Sequence, residues 1–227
     1  MQDASSPARK ATLSSRICAD LRAAILRGDL APAEKINLDR LRETYQISIS
    51  PLREAVSRLI AEGLVNFEDQ RGYSVSPVSL ADLAEVTRLR GELETIALGE
   101  AVNNGDLEWE SAVMGALYRL SRTAKETPDA WEEAHSAFHM ALISGCGAPR
   151  LLQICTMLRT LQDRYRRLWP MSPKDGTARQ IAEEHRAIAE AATSREAARA
   201  TALLRAHIEA TGTELRARMQ AHSPATP

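Results

Sequence analysis

Residues 48–75 read SISPLREAVSRLIAEGLVNFEDQRGYSV, and the first part, up to Leu64, has the period of an amphipathic helix. Serines precede Pro51, a residue type that is favoured in the first turn of a helix. Gly63 ends the helical pattern. The apolar side chains that recur at three- and four-residue steps are Leu52, Val56, Leu59 and Ile60. The stretch therefore predicts a helix with one buried face and one polar face.

After Gly63 the hydrophobic period changes from helical to alternating. Val65 and Phe67 stand before a polar turn, and Tyr73 and Val75 follow it. Alternation on both sides of a short polar turn is typical of a β-hairpin. We therefore expect two short strands whose tip is formed by residues 69–72.

Two further helical patterns precede this stretch, within residues 11–32 and 36–46. Two helices, a tight turn, a third helix and a two-stranded wing follow one another in the order of a winged helix-turn-helix. We assign residues 11–76 to a DNA-binding domain of this type. Residues 1–10 are polar, and we expect them to form a disordered tail.

The polar face of the third helix carries the candidate DNA contacts. A helix fits the major groove of DNA, and its N-terminus and hydroxyl groups bind phosphate. A hairpin tip can reach the adjoining minor groove. The candidate residues are Ser48, Ser50, Arg53, Ser57, Arg71 and Gly72. The same pattern also fits a small helical subdomain whose polar face is only solvated.

The composition is that of an ordinary globular protein, with 44% apolar and 26% charged residues in 227. Residues 1–76 carry 11 basic and 10 acidic side chains, a balance that does not by itself indicate nucleic acid. Three cysteines without a CxxC spacing fit a reducing compartment. The N-terminus lacks an apolar signal segment, and no stretch has the length of an apolar membrane span. We expect a cytoplasmic protein that does not associate with membranes.

From Ser76 onward the hydrophobic pattern is helical throughout. The breaks predict six helices, near residues 80–103, 105–125, 128–144, 148–168, 177–192 and 194–219. Such a run predicts an antiparallel all-α bundle over residues 77–220, in which a ligand can bind between helices. The predicted fold class is therefore mostly α, a winged helix-turn-helix followed by this bundle.

Four of the five histidines lie in the predicted bundle, and each stands at or beside an apolar stripe: His135, His139, His185 and His207. The first two are four residues apart, so both fall on one face of a helix. A single histidine of this kind is usually a hydrogen-bonded core residue. Four inward imidazoles need partners, however, and one divalent cation satisfies them all. Spacing alone leaves both interpretations open.

Glu183 and Glu184 stand beside the third of these histidines. They fit hydrogen-bond partners of the metal ligands, a general base of a metallohydrolase, or merely a solvated helix end. The sequence thus keeps a metal-dependent enzyme of small-molecule metabolism as an alternative. A third alternative is a regulator whose histidines are structural and whose metal-free bundle binds an acyl chain.

The motifs of both halves resemble one known family. Residues 47–65 and the RGYSV segment are similar to the winged helix of the GntR superfamily of bacterial transcription regulators. RLRGELETIALGEAV, FHMALISGCGAPRLL and the segment from Glu183 to Thr211 resemble the ligand-binding FCD domain of its FadR subfamily. The resemblance covers roughly residues 11–219, and the two motif sets occur in the expected order.

This resemblance implies a homodimer that binds a palindromic double-stranded operator, with a small metabolite effector, often a carboxylate, that relieves or alters repression. Arg53 matches a principal DNA contact, with Ser48 and Ser50 beside it and Arg71-Gly72 at the minor groove. One residue departs from the family pattern, because Ile49 stands where an Arg is common. We expect this difference to weaken phosphate contact or to alter operator choice.

The resemblance also implies a metal site made of an Asp, a His four residues later and two further histidines. His139, His185 and His207 match the histidine positions, and His135 stands where the Asp would be. Four nitrogen donors favour a late divalent transition metal, with zinc or nickel expected first. Arg90 matches an arginine that is frequent on the first bundle helix, and it either binds the effector carboxylate or pairs with Glu94.

Overall fold

The computed structural model describes residues 12–123, 127–170 and 180–222, without the side chains of Pro128 and His222. The tail at residues 1–10, parts of two predicted helices at 124–125 and 177–179, and most of the break at 169–176 lie outside these residues. The chain divides into two compact units between Pro77 and Val78.

The first unit contains three helices in the described residues, α1 (Leu13–Arg27), α2 (Leu38–Tyr45) and α3 (Ile49–Ala61). Thr12 caps the start of α1 by accepting a hydrogen bond from the backbone N–H of Ser15. Gly28 ends α1 with a positive φ of 84°, a conformation that glycine adopts without steric cost. The predicted helical patterns are thus confirmed as helices.

A three-stranded antiparallel sheet completes this unit, with strand order β1-β3-β2. The wing consists of β2 (Val65–Glu68) and β3 (Gly72–Val75), with Val65 opposite Val75. A two-residue strand, β1 (Lys35–Ile36), pairs with the other edge of β3. The sequence did not predict β1, because two residues are too few for an alternating pattern.

The core of the first unit is formed where α1 packs on α3, and the predicted apolar stripe of α3 is fully buried except at Ile60, which is partly buried. Leu52, Val56 and Leu59 each have 0% exposure. Burying such side chains contributes roughly 1.5–3 kcal/mol each. This packing turns the polar side of α3 to solvent.

The second unit contains six α-helices in the described residues: α4 (Leu80–Asn104), α5 (Leu107–Arg122), α6 (Pro128–Ile143), α7 (Pro149–Leu168), α8 (Ile181–Thr193) and α9 (Ala197–His222). A short 3₁₀ helix, Ser144–Cys146, connects α6 to α7. The long helices α4 and α9 pack against each other extensively, and α7 and α8 pack on this pair. The predicted all-α bundle is confirmed, and its histidines lie between α6, α8 and α9.

Most core side chains of this unit come from α4, α5, α6 and α8, and they bury the bundle's apolar centre. Ser79 caps α4 by accepting from the backbone N–H of Asp82 at 3.0 Å. Trp109 of α5 donates its indole N–H to the carbonyls of Ala141 and Leu142 near the end of α6. These contacts hold the helix that carries the first two histidines in place. None of the helices in the described segments is both long enough and apolar enough to cross a bilayer.

Candidate functional site

The four bundle histidines converge on one point inside the second unit. His135 and His139 come from successive turns of α6, His185 from α8 and His207 from α9. One ligand atom of each lies within 4.8 Å of the ligand atoms of the others. All four side chains are buried, with exposed fractions of 1–5%. The structure thus brings together all four residues that the sequence analysis predicted as candidate metal ligands.

The imidazole rings contact one another and two aromatic side chains. The ring centroids of His135 and His139 lie 4.6 Å apart, and those of His185 and His207 lie 4.7 Å apart. Trp131 stacks on His135 with a centroid distance of 4.8 Å and an angle of 12°. Stacking fixes the plane of that ring, so the position of its nitrogens is set by packing on α6.

Several nitrogens of this cluster have no hydrogen-bond partner among the described residues. They are Nδ1 of His135, both ring nitrogens of His139 and Nε2 of His185. Leaving buried polar atoms unsatisfied costs about 1–3 kcal/mol each. Imidazole lone pairs that converge within one small volume fit a divalent cation, which would satisfy them together. The donor set therefore fits the metal that the fold family implies.

The surroundings of three of the histidines keep them neutral, as metal ligands must be. Burial, followed by the positive charge of Arg166, holds the pKa of His135 well below its usual value. Burial and the nearby Arg159 do the same to the pKa of His139. Burial and the neighbouring His207 lower the pKa of His185 to about 2. These three histidines are thus neutral donors at physiological pH.

His207 has a specific partner on the neighbouring helix. Its Nδ1 lies 2.8 Å from Oε2 of Glu184 on α8. A carboxylate at this position selects the tautomer with a proton on Nδ1, which leaves the lone pair of Nε2 for a metal. Glu183 differs, because it is exposed and pairs with Arg186. Of the two adjacent glutamates, only Glu184 has this contact with a histidine of the cluster.

A chain of buried charges adjoins the histidines on the side of α4 and α7. Arg90 donates to both oxygens of Glu94, at 2.6 and 3.1 Å. Oε2 of Glu94 also lies 4.0 Å from Nδ1 of His139 and 3.6 Å from Nη1 of Arg159. Next along α7, Arg166 donates to Asp163 and to Glu132 of α6. The predicted effector residue, Arg90, is therefore engaged by Glu94.

Sequence reasoning missed Glu132, Arg159 and Arg166. They belong to helices so rich in charged residues that their polar side chains look solvated, and α7 in particular reads RTLQDRYRRL near its end. All five residues 162–166 are nevertheless buried. Only the packing of α7 against α4 and α6 reveals this, and no local periodicity predicts it.

A pocket of about 390 Å³ lies on the other side of the cluster, between α5, α6 and α8. Its wall includes His185, and its other side chains are mostly apolar. Leu117, Tyr118 and Trp131 line it, so the pocket suits an apolar group more than a charged one.

The candidate DNA contacts lie on the solvent side of the first unit. Ser48 is the N-cap residue of α3 and makes no side-chain capping bond. Ser50, Arg53 and Ser57 are exposed on the same helix. Among the described residues, Arg53 has no hydrogen-bond or ion-pair partner, whereas Arg58 is bonded to Glu54 and Ser15. Arg53 is therefore available to an external partner.

The wing tip is exposed and sharply turned. Gln70 and Gly72 have positive φ angles of 64° and 79°, and the Arg71 side chain is 78% exposed. A Cβ at Gly72 would meet no heavy atom within 4 Å, so its conformation rather than space favours glycine there. The guanidinium of Arg71 lies 3.0 Å from Glu68. Exposed Phe67 packs against half-buried Tyr73 across the strands behind the tip.

Comparison with known proteins agrees with both halves of the molecule. Residues 13–75 match the model of the bacterial regulatory proteins of the gntR family, and residues 85–210 match the FCD domain. The HTH-type transcriptional regulator BphR of Paraburkholderia xenovorans is 40% identical over 196 residues, 83% of this chain and 79% of the relative. The HTH-type transcriptional repressor GlaR of Escherichia coli is 33% identical over 191 residues, 81% of this chain and 87% of the relative.

Solved structures support the same fold. McbR/YncC of E. coli superposes with a TM-score of 0.76 at 21% identity, covering 92% of this chain and 99% of that one. A putative GntR regulator from Rhodococcus sp. RHA1 gives a TM-score of 0.72 at 22% identity, covering 89% and 96%.

The matched families and the named relatives are transcription regulators, which defines the class of this protein as a DNA-binding regulator with an effector domain. The chain belongs to the GntR family of transcription regulators and carries an FCD effector-binding domain.

Proposed function

We propose that this regulator is a homodimer that binds a palindromic operator. A small carboxylate that binds at or beside a metal in the FCD domain makes the dimer release the operator or change its arrangement on it. The observation that carries the proposal is the cluster of four buried imidazoles whose ligand atoms lie within 4.8 Å of one another. Four ring nitrogens of this cluster have no hydrogen-bond partner in the described part of the chain.

The proposed metal ligands are His135, His139, His185 and His207, with Nε2 the donor atom of His207 because Glu184 engages Nδ1. Zinc or nickel suits such a nitrogen set. When bound, the ion would supply a localised positive charge that attracts an anionic effector. Because neutral imidazoles add no charge, the ion would keep its full 2+ in this site.

In the first unit, we assign base or phosphate contacts to Ser48, Ser50, Arg53, Ser57, Arg71 and Gly72. Their exposure on α3 and on the wing tip supports this assignment. An arginine without an internal partner, such as Arg53, binds guanine or phosphate without first breaking an ion pair.

The related GlaR is named a repressor, and we propose the same sign of regulation here. Because operator DNA lies in the cytoplasm of a bacterium, we place the protein there.

The effector must bind more tightly to one arrangement of the DNA-binding domains than to another, since a ligand shifts a conformational equilibrium only through unequal affinity. A site formed by side chains of α4, α6, α7, α8 and α9 is suited to this role. A ligand there changes the packing of several helices at once.

The second candidate is a regulator with a metal-free bundle that binds an acyl chain. The apolar pocket beside His185 favours it, because its volume of about 390 Å³ accommodates an aliphatic or aromatic group. The two candidates differ in one variant. Tyr118→Ala, on the pocket wall, removes the effector response of an acyl-binding regulator and leaves that of a metal-centred regulator unchanged.

The test uses full-length protein and DNA recovered by selection from a random library with the protein itself. We expect the selected sites to be palindromic and retention to fall steeply as salt rises, because phosphate contacts release counterions. We expect zinc to raise the melting temperature of the wild type and to leave that of His139→Ala unchanged. Failure to select any DNA sequence would contradict the DNA-binding half, and an equal zinc response in both proteins would contradict the metal half.

A further inference from the structure

Arg159 is a buried cation whose guanidinium makes no hydrogen bond in the described part of the chain. It lies on α7 with 1% of its surface exposed. None of its three guanidinium nitrogens has a hydrogen-bond partner among the described residues. Burial, followed by repulsion from Arg90, lowers its pKa to about 10, so the group is still charged at neutral pH.

The neighbouring carboxylates are committed to other arginines. Glu94 comes closest, at 3.6 Å, but accepts two hydrogen bonds from Arg90. Asp163 accepts from Arg166 at 2.7 Å. A buried charge without hydrogen bonds is unfavourable, and proteins give up stability at positions where activity needs it. The unused donors of Arg159 therefore point to a partner from outside the chain.

The position of Arg159 places that partner at the histidine cluster. The same Oε2 atom of Glu94 lies 3.6 Å from Nη1 of Arg159 and 4.0 Å from Nδ1 of His139. Nδ1 and Nε2 of His139 are themselves without a hydrogen-bond partner in the described part of the chain. Nη1 of Arg159 and Nδ1 of His139 thus both lie near the same carboxylate oxygen, so an anion bound by the guanidinium would lie beside the cluster.

We infer that Arg159 anchors the effector, donating paired hydrogen bonds to a carboxylate held beside His139. The inference rests on the proposed function and deepens it, because it assigns the effector's anionic group to a particular side chain. Arg90 fits this role less well, since its Nε and Nη2 already donate to Glu94, whereas all three guanidinium nitrogens of Arg159 lack a hydrogen bond in the described part of the chain. A planar guanidinium matches a carboxylate in a way that a lysine ammonium does not.

The first part of the test compares unliganded, metal-free proteins. Arg159→Met removes the charge and keeps most of the side-chain length. We expect its melting temperature to equal or exceed that of the wild type, because the variant no longer buries a cation without hydrogen bonds, and Glu94 keeps its partner Arg90. Arg166→Met is the matched control on the same helix. It should melt several degrees lower, because it leaves Asp163 and Glu132 buried without their partner.

The second part titrates acetate, succinate and citrate as probes, with and without zinc, and follows the melting temperature. We expect at least one probe to stabilise the wild type. Its apparent affinity should fall about tenfold to a hundredfold in Arg159→Met, the loss expected of a charge-assisted hydrogen-bonding pair. Arg159→Lys should recover part of that loss.

Three results would each overturn the inference. They are a melting temperature of unliganded Arg159→Met several degrees below the wild type, an unchanged probe affinity in that variant, and no response of the wild type to any probe. Zinc binding and DNA retention are measured on the same samples. If Arg159→Met keeps both and loses only the carboxylate response, the inference and the proposed function stand. If the wild type itself binds no zinc or no DNA, the proposed function fails, and the metal-free titration still decides the role of Arg159.

Discussion

Nδ1 of His207 on α9 lies 2.8 Å from the Glu184 carboxylate on α8. This contact joins two helices of the bundle at the histidine cluster and orients one ring of the candidate metal site. A carboxylate that accepts a hydrogen bond from Nδ1 of a histidine makes Nε2 a stronger ligand for a metal ion.

Glu184→Gln should weaken zinc binding about tenfold to a hundredfold, because the amide cannot polarise His207 as the carboxylate does. Competition with a chromophoric chelator measures the affinity. Glu183→Gln is the matched control, since its side chain is exposed and pairs only with Arg186 among the described residues. Equal zinc affinities in the two variants would show that the contact between Glu184 and His207 does not support the site.

Acid should destabilise the metal-free protein, because His135, His139 and His185 have depressed pKa values in the folded state. The unfolded chain, with histidine pKa values of about 6.5, then binds more protons than the native one, so stability is lost as pH falls below about 6.5. Each neutral histidine contributes a slope of about 1.4 kcal/mol per pH unit.

Urea unfolding followed by far-UV circular dichroism from pH 7.5 to pH 5 measures this slope. His139→Asn removes one titrating ring and should reduce the slope by roughly one histidine's share. A free energy of unfolding that does not change across this range would contradict the buried, neutral cluster.

His135→Asp should retain a metal ion and change which metal is preferred. A carboxylate in place of an imidazole adds a negative charge and a harder donor, which shifts preference from zinc or nickel towards manganese. Competition between these ions, read by elemental analysis, measures the shift. His135→Ala is the control and should weaken all of them. An unchanged order of preference in His135→Asp would mean that His135 does not ligate.

Arg53→Ala should weaken operator binding by about 1–3 kcal/mol, since the residue is exposed on α3 and has no internal partner in the described chain. Fluorescence anisotropy at several salt concentrations measures the affinity. If Arg53 contacts a phosphate, the salt slope should also fall by about one unit. Arg27→Ala is the control, because Arg27 pairs with Asp29 at the end of α1. The assignment is wrong if both variants bind alike.

The sequence predicted the elements that are long and periodic. Leu52, Val56 and Leu59 mark the inner face of α3, and all three are fully buried. The histidines were also accessible to sequence reasoning, because each stands beside an apolar stripe and a stripe faces the core. The meeting of the histidines of α6, α8 and α9 at one point depends on how these three helices pack against one another.

Arg159 and its neighbours on α7 were not predictable in this way. A helix surrounded by other helices buries polar residues on several faces, so its sequence resembles that of a solvated helix. The sequence did not predict strand β1 for a different reason. Its two residues are specified by the edge of β3 that they cover, and not by their own sequence.

The central claim is that His135, His139, His185 and His207 bind one transition-metal ion, and elemental analysis of the purified, zinc-exposed and dialysed protein tests it most directly. We expect about one zinc or nickel ion per chain in the wild type, because the four donors converge on one site. The double variant His139→Ala/His185→Ala should hold essentially none. A wild type without metal after exposure to zinc and nickel, or a double variant that binds as much as the wild type, would contradict the account.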